Sequence, residues 1–404
     1  VSCSKDDVKE DTNKDVDNNV EEKDVSASGK VYQGFGMSNL YREDMGEDSE
    51  GNPIYSFNQI FVNALFDEDD KIVDIYIDQL EVGTPNGPDT FAKFNGYPEK
   101  EGFNWSGKYE TTEEIFKEEL ENWKTKRQLK DDYKLDSGTW EEQIQKYEET
   151  FKGMTVKEVI KWTNDYCSSI DNRPVTKDSE HLIDVEKYEA LSEEDKKMLD
   201  DLTSVATISL NDTHGNILIA IRNASNNKKE VEVKDYENLG IGLAYNTRVM
   251  PMKDDEGNSI YSINEVITNI VLDKDEKISA IFIDQQELFS GNIEGDNVSR
   301  FSGFPTQQGY NGVEEITPAM FREEVAAWRT KRQLKDDYKL ESGTWEEQIL
   351  KIEEELIGKT KEEVISWAEE YENNPDLISG ATISIQNENG MILDSIINSF
   401  DNLK

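Results

Sequence analysis

A long stretch of this sequence occurs twice. Residues 125–144 read TKRQLKDDYKLDSGTWEEQI, and residues 330–349 repeat them with one difference, Asp136 against Glu341. The likeness extends outward, because residues 54–79 (IYSFNQIFVNALFDEDDKIVDIYIDQ) match residues 260–285 (IYSINEVITNIVLDKDEKISAIFIDQ). Such a pattern indicates a tandem duplication. Since each copy is far longer than a solenoid unit, we expect two domains, each with its own core.

The duplication predicts how the chain is divided. After the near-identical stretch, the first copy carries about 30 residues that the second copy lacks, at 171–200. We expect this segment to be a surface insertion, mostly loop, with one short helix that begins after Ser192. The predicted segments are a polar tether at 1–28, a first domain at 29–225, a linker at 226–235 and a second domain at 236–404.

Local patterns predict the elements within each copy. Apolar and polar residues alternate on both sides of the acidic stretch DEDDK, at 67–71, as in two strands joined by a turn. This stretch lacks the glycine and the distant glutamate of a calcium-binding EF-hand loop. Hydroxyl residues followed by glutamate or proline predict helix starts. The predicted caps are Thr111, Thr139 and Thr155 in copy one, and Thr317, Thr344 and Thr360 in copy two.

An apolar segment at the end of each copy, GNILIAIRNA or GMILDSIINS, predicts one further helix. Aromatic and aliphatic residues recur at helical spacing in the first predicted helix of each copy, which is more typical of core packing than of cofactor contacts. They are Phe116, Leu120 and Trp123, and Phe321, Val325 and Trp328. The expected class is α+β with an antiparallel sheet.

The composition excludes several kinds of function. The chain has 87 acidic and 44 basic residues, a formal net charge of -43, which disfavours binding to nucleic acid or to an anionic membrane surface. No apolar run reaches the roughly 18 residues of a membrane-spanning helix. Only Cys3 and Cys167 are present, so a disulfide framework, an iron–sulfur site and a haem attachment motif are all excluded. His181 and His214 share no ligand spacing with them, and we expect no metal site.

The first residues read VSCSKDD, in which Cys3 follows an apolar and a small residue. This pattern resembles the end of a bacterial lipoprotein signal, whose cysteine carries the lipid after cleavage. A short pattern of this kind also arises by chance. The polar tail after Cys3 has almost no large apolar side chains, so it suits a solvated tether. We therefore expect Cys3 to be lipidated and the protein to be anchored at a membrane.

A nine-residue peptide also recurs near the end of each copy. DLTSVATIS occupies residues 201–209 and DLISGATIS occupies residues 376–384, with seven identities in nine positions. Small neighbours leave the threonine hydroxyl open to a bulky reagent. Strings of Ser, Gly, Ala and Thr are also common in turns, and duplication copies structure as faithfully as function. The peptide taken alone thus remains open to both interpretations.

The pattern Asp-x-x-Ser-Gly-Ala-Thr resembles the attachment signature of FMN-binding domains. In that family a separate, magnesium-dependent flavin transferase uses FAD to link FMN through its phosphate to the threonine hydroxyl. The residues that match in copy two are Asp376, Ser379, Gly380, Ala381 and Thr382. Those that match in copy one are Asp201, Ser204, Ala206 and Thr207, whereas Val205 stands where the family favours glycine. A β-branched residue there restricts the backbone, which makes attachment at Thr207 less secure.

Two such signatures behind a lipidation motif are similar to the doubly flavinylated surface lipoproteins of Gram-positive bacteria. The resemblance implies two covalent FMN groups, at Thr207 and Thr382, on the extracellular face of the cell membrane. It further implies an electron carrier rather than an enzyme with its own substrate, with no catalytic residues. Electrons would pass from a membrane quinone-linked dehydrogenase to extracellular acceptors such as ferric iron. The rival hypothesis is a flavin-free surface binding or adhesion lipoprotein, in which the repeated peptide is only a turn.

Two tryptophans and one cysteine are further candidates for a functional role. Trp140 and Trp345 each directly follow a predicted helix cap and could stack on a flavin, but packing of the helix start is the simpler interpretation. Cys167 is expected to be a buried or partly buried thiol without a role. No Ser-His-Asp set and no glycine-rich phosphate loop is present.

Overall fold

The computed structural model describes residues 30–404 except 105–106, 213–214, 292, 294, 296–297, 311–312, 375–376, 379 and 387–390. Its class is α+β, as the sequence predicts. Cys3, His214, Asp376 and Ser379 lie outside the described residues. Within the described part of the chain, no helix is both long enough and apolar enough to span a bilayer.

Among the described residues, the first copy has three long antiparallel strands, several short strands and seven α-helices. The strands are β1 (Val31–Arg42), β2 (Ser56–Phe66), β3 (Ile72–Gly83), β4 (Ala92–Lys93), β5 (Glu101–Asn104), β6 (Gly107–Glu110), β7 (Lys134–Leu135), β8 (Gly138–Thr139), β9 (Asn211–Asp212), β10 (Gly215–Asn216) and β11 (Lys228–Val231). The helices are α1 (Glu113–Glu121), α2 (Lys126–Leu129), α3 (Trp140–Phe151), α4 (Val156–Tyr166), α5 (Leu182–Glu189), α6 (Glu193–Thr203) and α7 (Ile217–Asn226).

The second copy repeats the long strands and the principal helices in the same order. Its strands are β12 (Tyr236–Lys253), β13 (Ser259–Asp273), β14 (Ile278–Phe289), β15 (Ser299–Arg300), β16 (Lys339–Leu340) and β17 (Gly343–Thr344). Its helices are α8 (Pro318–Ala327), α9 (Lys331–Leu334), α10 (Trp345–Leu356), α11 (Lys361–Asn373) and α12 (Ile392–Asp401). The final helices α7 and α12 confirm the helical prediction for the two terminal apolar segments.

Each copy forms one main sheet. The strand orders are β11-β1-β2-β3-β4 and β12-β13-β14-β15, antiparallel except for the short last strand of each sheet. The predicted hairpin is confirmed: β2 pairs with β3, and Asp67 closes the turn by accepting hydrogen bonds from the backbone of Asp69 and Lys71, both at 2.9 Å. The residues predicted as a linker contain β11, which pairs with β1 and is therefore part of the first sheet.

The helix starts follow the predicted caps with one correction. Thr139, Thr155, Thr344 and Thr360 each form a full capping box, and Thr317 caps a helix with proline in its first turn. The cap of α1 is Thr112 rather than Thr111. The reason is that the Thr111 hydroxyl is buried and accepts a hydrogen bond from Asn95 Nδ2 at 2.9 Å, so it is not available to the helix.

The insertion in copy one is more ordered than the sequence indicated. It contains α5 in addition to the helix α6 that Ser192 caps. These helices enclose a small core of Val175, Tyr188 and Leu199, and the Tyr188 hydroxyl donates a hydrogen bond to Asp200 at 2.8 Å. The prediction of a mostly irregular segment was wrong. Both helices are rich in acidic residues and bury only a few apolar side chains, so the sequence shows no clear apolar periodicity there.

Three larger cores hold the molecule together. One lies between the first sheet and helices α3, α4 and α7, and its counterpart in copy two lies under α10, α11 and α12. Trp140 and Trp345, each 2% exposed, belong to these two cores, in agreement with packing as their role. The third core lies between the inner faces of the two sheets and draws on both copies. The expectation that each copy has its own core is therefore met only in part.

The shared core is rich in aromatic rings. It contains all the helical residues that the sequence predicted to be core. Rings of the two copies meet there: the ring centroids of Phe57 and Trp328 are 5.0 Å apart, and those of Phe94 and Phe301 are 5.2 Å apart. Polar side chains also cross it: Asn63 Nδ2 donates to the carbonyls of Gly240 and Ile270 at 3.1 and 3.0 Å. Because both faces of each sheet are covered, every residue of β2 is buried.

Candidate functional site

The described residues of the two repeated peptides lie on the helical side of their sheets, each against the helix that begins within the near-identical stretch. In copy one, Asp201 is exposed in the last turn of α6, and the hydroxyl of Ser204 donates to the Asp201 carbonyl at 2.7 Å. Ala206 and Ala381 are buried in the cores of their own copies. The small residue before each threonine therefore anchors the peptide and leaves the threonine next to it at the surface.

Each threonine is held by one buried glutamine. Gln348 Oε1 accepts two hydrogen bonds from Thr382, from the backbone N–H at 2.9 Å and from the hydroxyl at 3.2 Å. Gln143 Oε1 accepts the same two bonds from Thr207, at 2.8 and 3.3 Å. Both glutamines lie one turn into a capped helix, α10 or α3, and both are 0% exposed. One oxygen thus fixes both the backbone and the side chain of the threonine.

Sequence reasoning missed these glutamines. They are 34 and 64 residues from the threonines that they bind, so no local motif includes them. A signal was nevertheless present, since both stand at the same place in the repeated segment GTWEEQI.

The second amide atom of each glutamine has no partner. Gln143 Nε2 and Gln348 Nε2 are buried and find no hydrogen-bond partner among the described residues. A buried donor without an acceptor is costly, and such an atom is unusual in a folded protein. In each copy, one amide hydrogen beside the threonine is therefore available to an acceptor, such as an oxygen of a phosphate group.

The backbone after each threonine is fixed by a tyrosine. In copy one, the Tyr147 hydroxyl on α3 donates to the Ile208 carbonyl at 2.6 Å. In copy two, the Tyr371 hydroxyl on α11 donates to the Ile383 carbonyl at 2.7 Å. Burial raises the pKa of both tyrosines, so they remain protonated donors at neutral pH. Two different helices thus supply the same hydrogen bond, which holds the chain on the far side of each threonine.

The two sites differ in exposure and in backbone shape. Thr382 is exposed, whereas Thr207 is half-buried. Gly380 has a φ of +80°, a conformation that favours glycine, and a Cβ atom there would overlap the Nζ atom of Lys351. Val205 is not among the described non-glycine residues with positive φ. The backbone before Thr207 therefore follows a different course from the one before Thr382.

The histidine and the cysteine that the structure describes, His181 and Cys167, are not part of these threonine sites. His181 is exposed at the start of α5. Cys167 is buried at the end of α4, and burial raises the pKa of its thiol to about 12, so it is not a reactive thiolate. Among the residues that the structure describes, no group of three or more His, Cys, Asp or Glu side chains is arranged to hold a metal ion.

The residues around Thr382 fit a phosphate ester better than those around Thr207. Thr382 is an exposed residue, the Lys351 ammonium lies beside Gly380, and the Gln348 amide donor has no partner among the described residues. At Thr207 the amide donor is present, but the hydroxyl is less exposed and valine replaces glycine. Asp376 and Ser379 of the signature lie in the part that the structure does not describe.

The chain shares sequence similarity with a reductase over part of its length. No family model matches the chain, and no solved structure matches it. Over 214 residues the chain is 34% identical to a chlorophenol reductase of Desulfitobacterium hafniense. That match covers 51% of this chain and 61% of the reductase, so the chain corresponds to only part of the length of that relative.

Proposed function

We propose that this protein is an extracellular, membrane-anchored electron carrier with two covalently attached FMN groups. The observation that carries the proposal is the identical pair of hydrogen bonds that Gln143 and Gln348 make to Thr207 and Thr382. A peptide that served only as a turn would need its backbone hydrogen bonds, whereas here a buried glutamine also holds the threonine hydroxyl.

The protein's part is to keep the acceptor threonines accessible and oriented. Thr382 is an exposed residue, while Gln348 holds its backbone N–H and Tyr371 holds the carbonyl of the next residue. FMN attached there would supply one- and two-electron chemistry, and the protein would supply attachment and exposure. A phosphoester bond retains the cofactor in an extracellular setting, where a freely dissociating flavin would be lost to dilution.

The proposed setting follows from the same resemblance. Cys3 would carry a lipid that anchors the chain to the outer face of the cell membrane, and the polar residues that follow would act as a tether. A magnesium-dependent flavin transferase would supply FMN from FAD. A membrane quinone-linked dehydrogenase would be the electron donor, and an extracellular species such as ferric iron the acceptor. The high negative charge of the chain would keep it soluble and attract cationic acceptors.

The partial relative supports a redox function in a general way. That protein is named as a reductase, and its likeness to this chain extends over 214 residues. Reduction of a chlorophenol is an activity of that protein, and we do not extend its substrate to this chain.

Intact-mass spectrometry tests the proposal. The full chain, coexpressed with a flavin transferase, is expected to gain the mass of one FMN for each modified threonine and to be yellow. Thr382→Ala should remove one FMN and Thr207→Ala the other. Ser384→Ala, which changes a neighbouring hydroxyl of the same peptide, is the control and should leave the FMN content unchanged. If both threonines stay unmodified in chain isolated from its native cells, the protein is not this carrier.

A further inference from the structure

We propose that Gln348, and Gln143 in the first copy, are the positioning residues for flavin attachment and the ligands of the resulting phosphate ester. This inference rests on the proposed function and assigns the roles of two side chains outside the attachment signature. Three observations carry it: the double hydrogen bond to each threonine, the complete burial of both glutamines and the unpaired Nε2 atom in both.

The first role is to orient the nucleophile. Since the Thr382 hydroxyl donates its hydrogen to Gln348 Oε1, that hydrogen points into the protein. The oxygen lone pairs then point away from Gln348, and Thr382 is an exposed residue. The second bond, from the Thr382 backbone N–H to the same atom, fixes the distance between helix α10 and the peptide. The acceptor oxygen is thus held in one orientation before the transferase arrives.

The second role begins when the ester forms. In the transfer, the Thr382 oxygen bonds to the flavin-side phosphorus of FAD, the bond to the bridging oxygen of the pyrophosphate breaks, and AMP leaves. The hydroxyl proton is released, so Gln348 loses one of its two hydrogen-bond donors. A negatively charged phosphate is now attached next to an amide whose Nε2 donor has no partner. We assign that donor to a phosphate oxygen, because a charged acceptor forms the stronger hydrogen bond.

The amide is better suited to this place than a carboxylate. A glutamate could accept the same two hydrogen bonds from Thr382, but it would have no donor and would repel the phosphate. The chain already has a net charge of -43, and the Lys351 ammonium lies beside Gly380. A neutral side chain that accepts on one atom and donates on the other meets both requirements.

Two substitutions separate the two roles. Gln348→Leu removes acceptor and donor together, whereas Gln348→Glu keeps the acceptor and replaces the donor with a negative charge. Each full-length variant and the wild-type chain are incubated in separate parallel reactions with transferase, FAD and magnesium, and the FMN gained by each is followed by intact mass. Peptide mapping then assigns the FMN to Thr382 or Thr207. Thermal unfolding of each unmodified variant, together with modification of Thr207 in the same molecule, reports whether the chain remains folded.

The proposal predicts that Gln348→Leu and Gln348→Glu each slow modification of Thr382 by about tenfold or more, on the scale of one hydrogen bond to a charged group. Modification of Thr207 should keep its wild-type rate, and Gln143→Leu should give the converse result. A wild-type rate at Thr382 in Gln348→Leu overturns the inference. A wild-type rate in Gln348→Glu alone overturns the phosphate role. If the wild-type chain itself gains no FMN, the proposed function fails instead.

A second measurement does not depend on flavin. In the unmodified chain, the Thr382 amide hydrogen should exchange faster with solvent in Gln348→Leu and should remain protected in Gln348→Glu. Equal exchange rates in wild type and Gln348→Leu would show that Gln348 does not hold the acceptor threonine.

Discussion

Arg127 and Glu148 form an ion pair in which neither side chain is exposed. The guanidinium Nη2 lies 2.8 Å from both carboxylate oxygens, and Nε donates to the Ile77 carbonyl at 2.8 Å. The same guanidinium stacks over the ring of Tyr76 at 4.0 Å. Arg332 and Glu353 repeat the pair in copy two. Through these contacts Arg127, which lies in the repeated stretch, joins α2 to α3 and to the sheet.

This pair gives a prediction about stability. Arg127→Met should lower the free energy of unfolding by about 3–5 kcal/mol, because it leaves the buried Glu148 carboxylate without its charge partner. The double variant Arg127→Met with Glu148→Leu should recover most of this loss, since no buried charge then remains. Urea denaturation of the three chains measures both effects. A single variant as stable as wild type would show that the pair does not brace the fold.

A buried carboxyl in the shared core predicts pH dependence. Glu265 on β13 is 2% exposed, and burial raises its pKa to about 8, although a hydrogen bond from Gln59 opposes the shift. In the folded chain it stays protonated where the unfolded chain has already ionised. Stability should therefore fall by about 1.4 kcal/mol per pH unit between the ordinary glutamate pKa and the folded one.

Glu265→Gln should remove this contribution. The variant and wild type should have similar pH dependence below the ordinary glutamate pKa, and the variant should become relatively more stable as the pH rises to about 8. Denaturation at a series of pH values measures the difference. Glu256→Gln, at an exposed position, is the matched control and should follow wild type at each pH. Parallel curves for Glu265→Gln and wild type would contradict a raised pKa.

The residue before the small alanine should determine how readily each threonine is modified. Gly380→Val should reduce FMN attachment at Thr382 severalfold, since a φ of +80° is strained for valine and its Cβ would displace Lys351. Val205→Gly should increase attachment at Thr207. Site-resolved peptide mapping after a fixed reaction time measures both. Unchanged attachment in both variants would mean that the transferase does not sense this position.

Close packing of a helix on a strand gives a last prediction. A Cβ atom on Gly36 of β1 would overlap the carbonyl of Ala220 on α7, and one on Gly242 of β12 would overlap the carbonyl of Ser395 on α12. Because backbone atoms cannot move aside cheaply, Gly36→Ala and Gly242→Ala should each cost about 1–3 kcal/mol. Thermal unfolding tests this, with the exposed Ser49→Ala as the control. Variants with wild-type stability would show that the helix can shift outward.

The sequence predicted the local features of the fold well. The hairpin turn at Asp67, the caps at Thr139 and Thr344 and the terminal helices all depend on neighbouring residues, and they were confirmed. Strands β1 and β12 were not predicted, because glycines such as Gly36 break the alternating pattern that identifies a strand. Glycine occurs at these positions because a helix from a distant part of the chain packs closely against the strand.

The same limit applies to the candidate site. The repeated peptide pointed to Thr207 and Thr382, but the glutamines that bind them come from helices 64 and 34 residues away. The contact between the two sheets was missed for the same reason, since Asn63 and Gly240 are 177 residues apart. Contacts of this kind depend on how elements pack rather than on the residues beside them.

Because the inner face of each sheet packs against the other copy, half of this molecule would leave much of its aromatic surface open to water. A fragment with one copy should pair with a second fragment, as the subunits of a homodimer do. Cutting the backbone between the copies should accordingly yield two pieces that stay together until denatured. In this chain the two copies are covalently linked, so their association is intramolecular and does not depend on protein concentration.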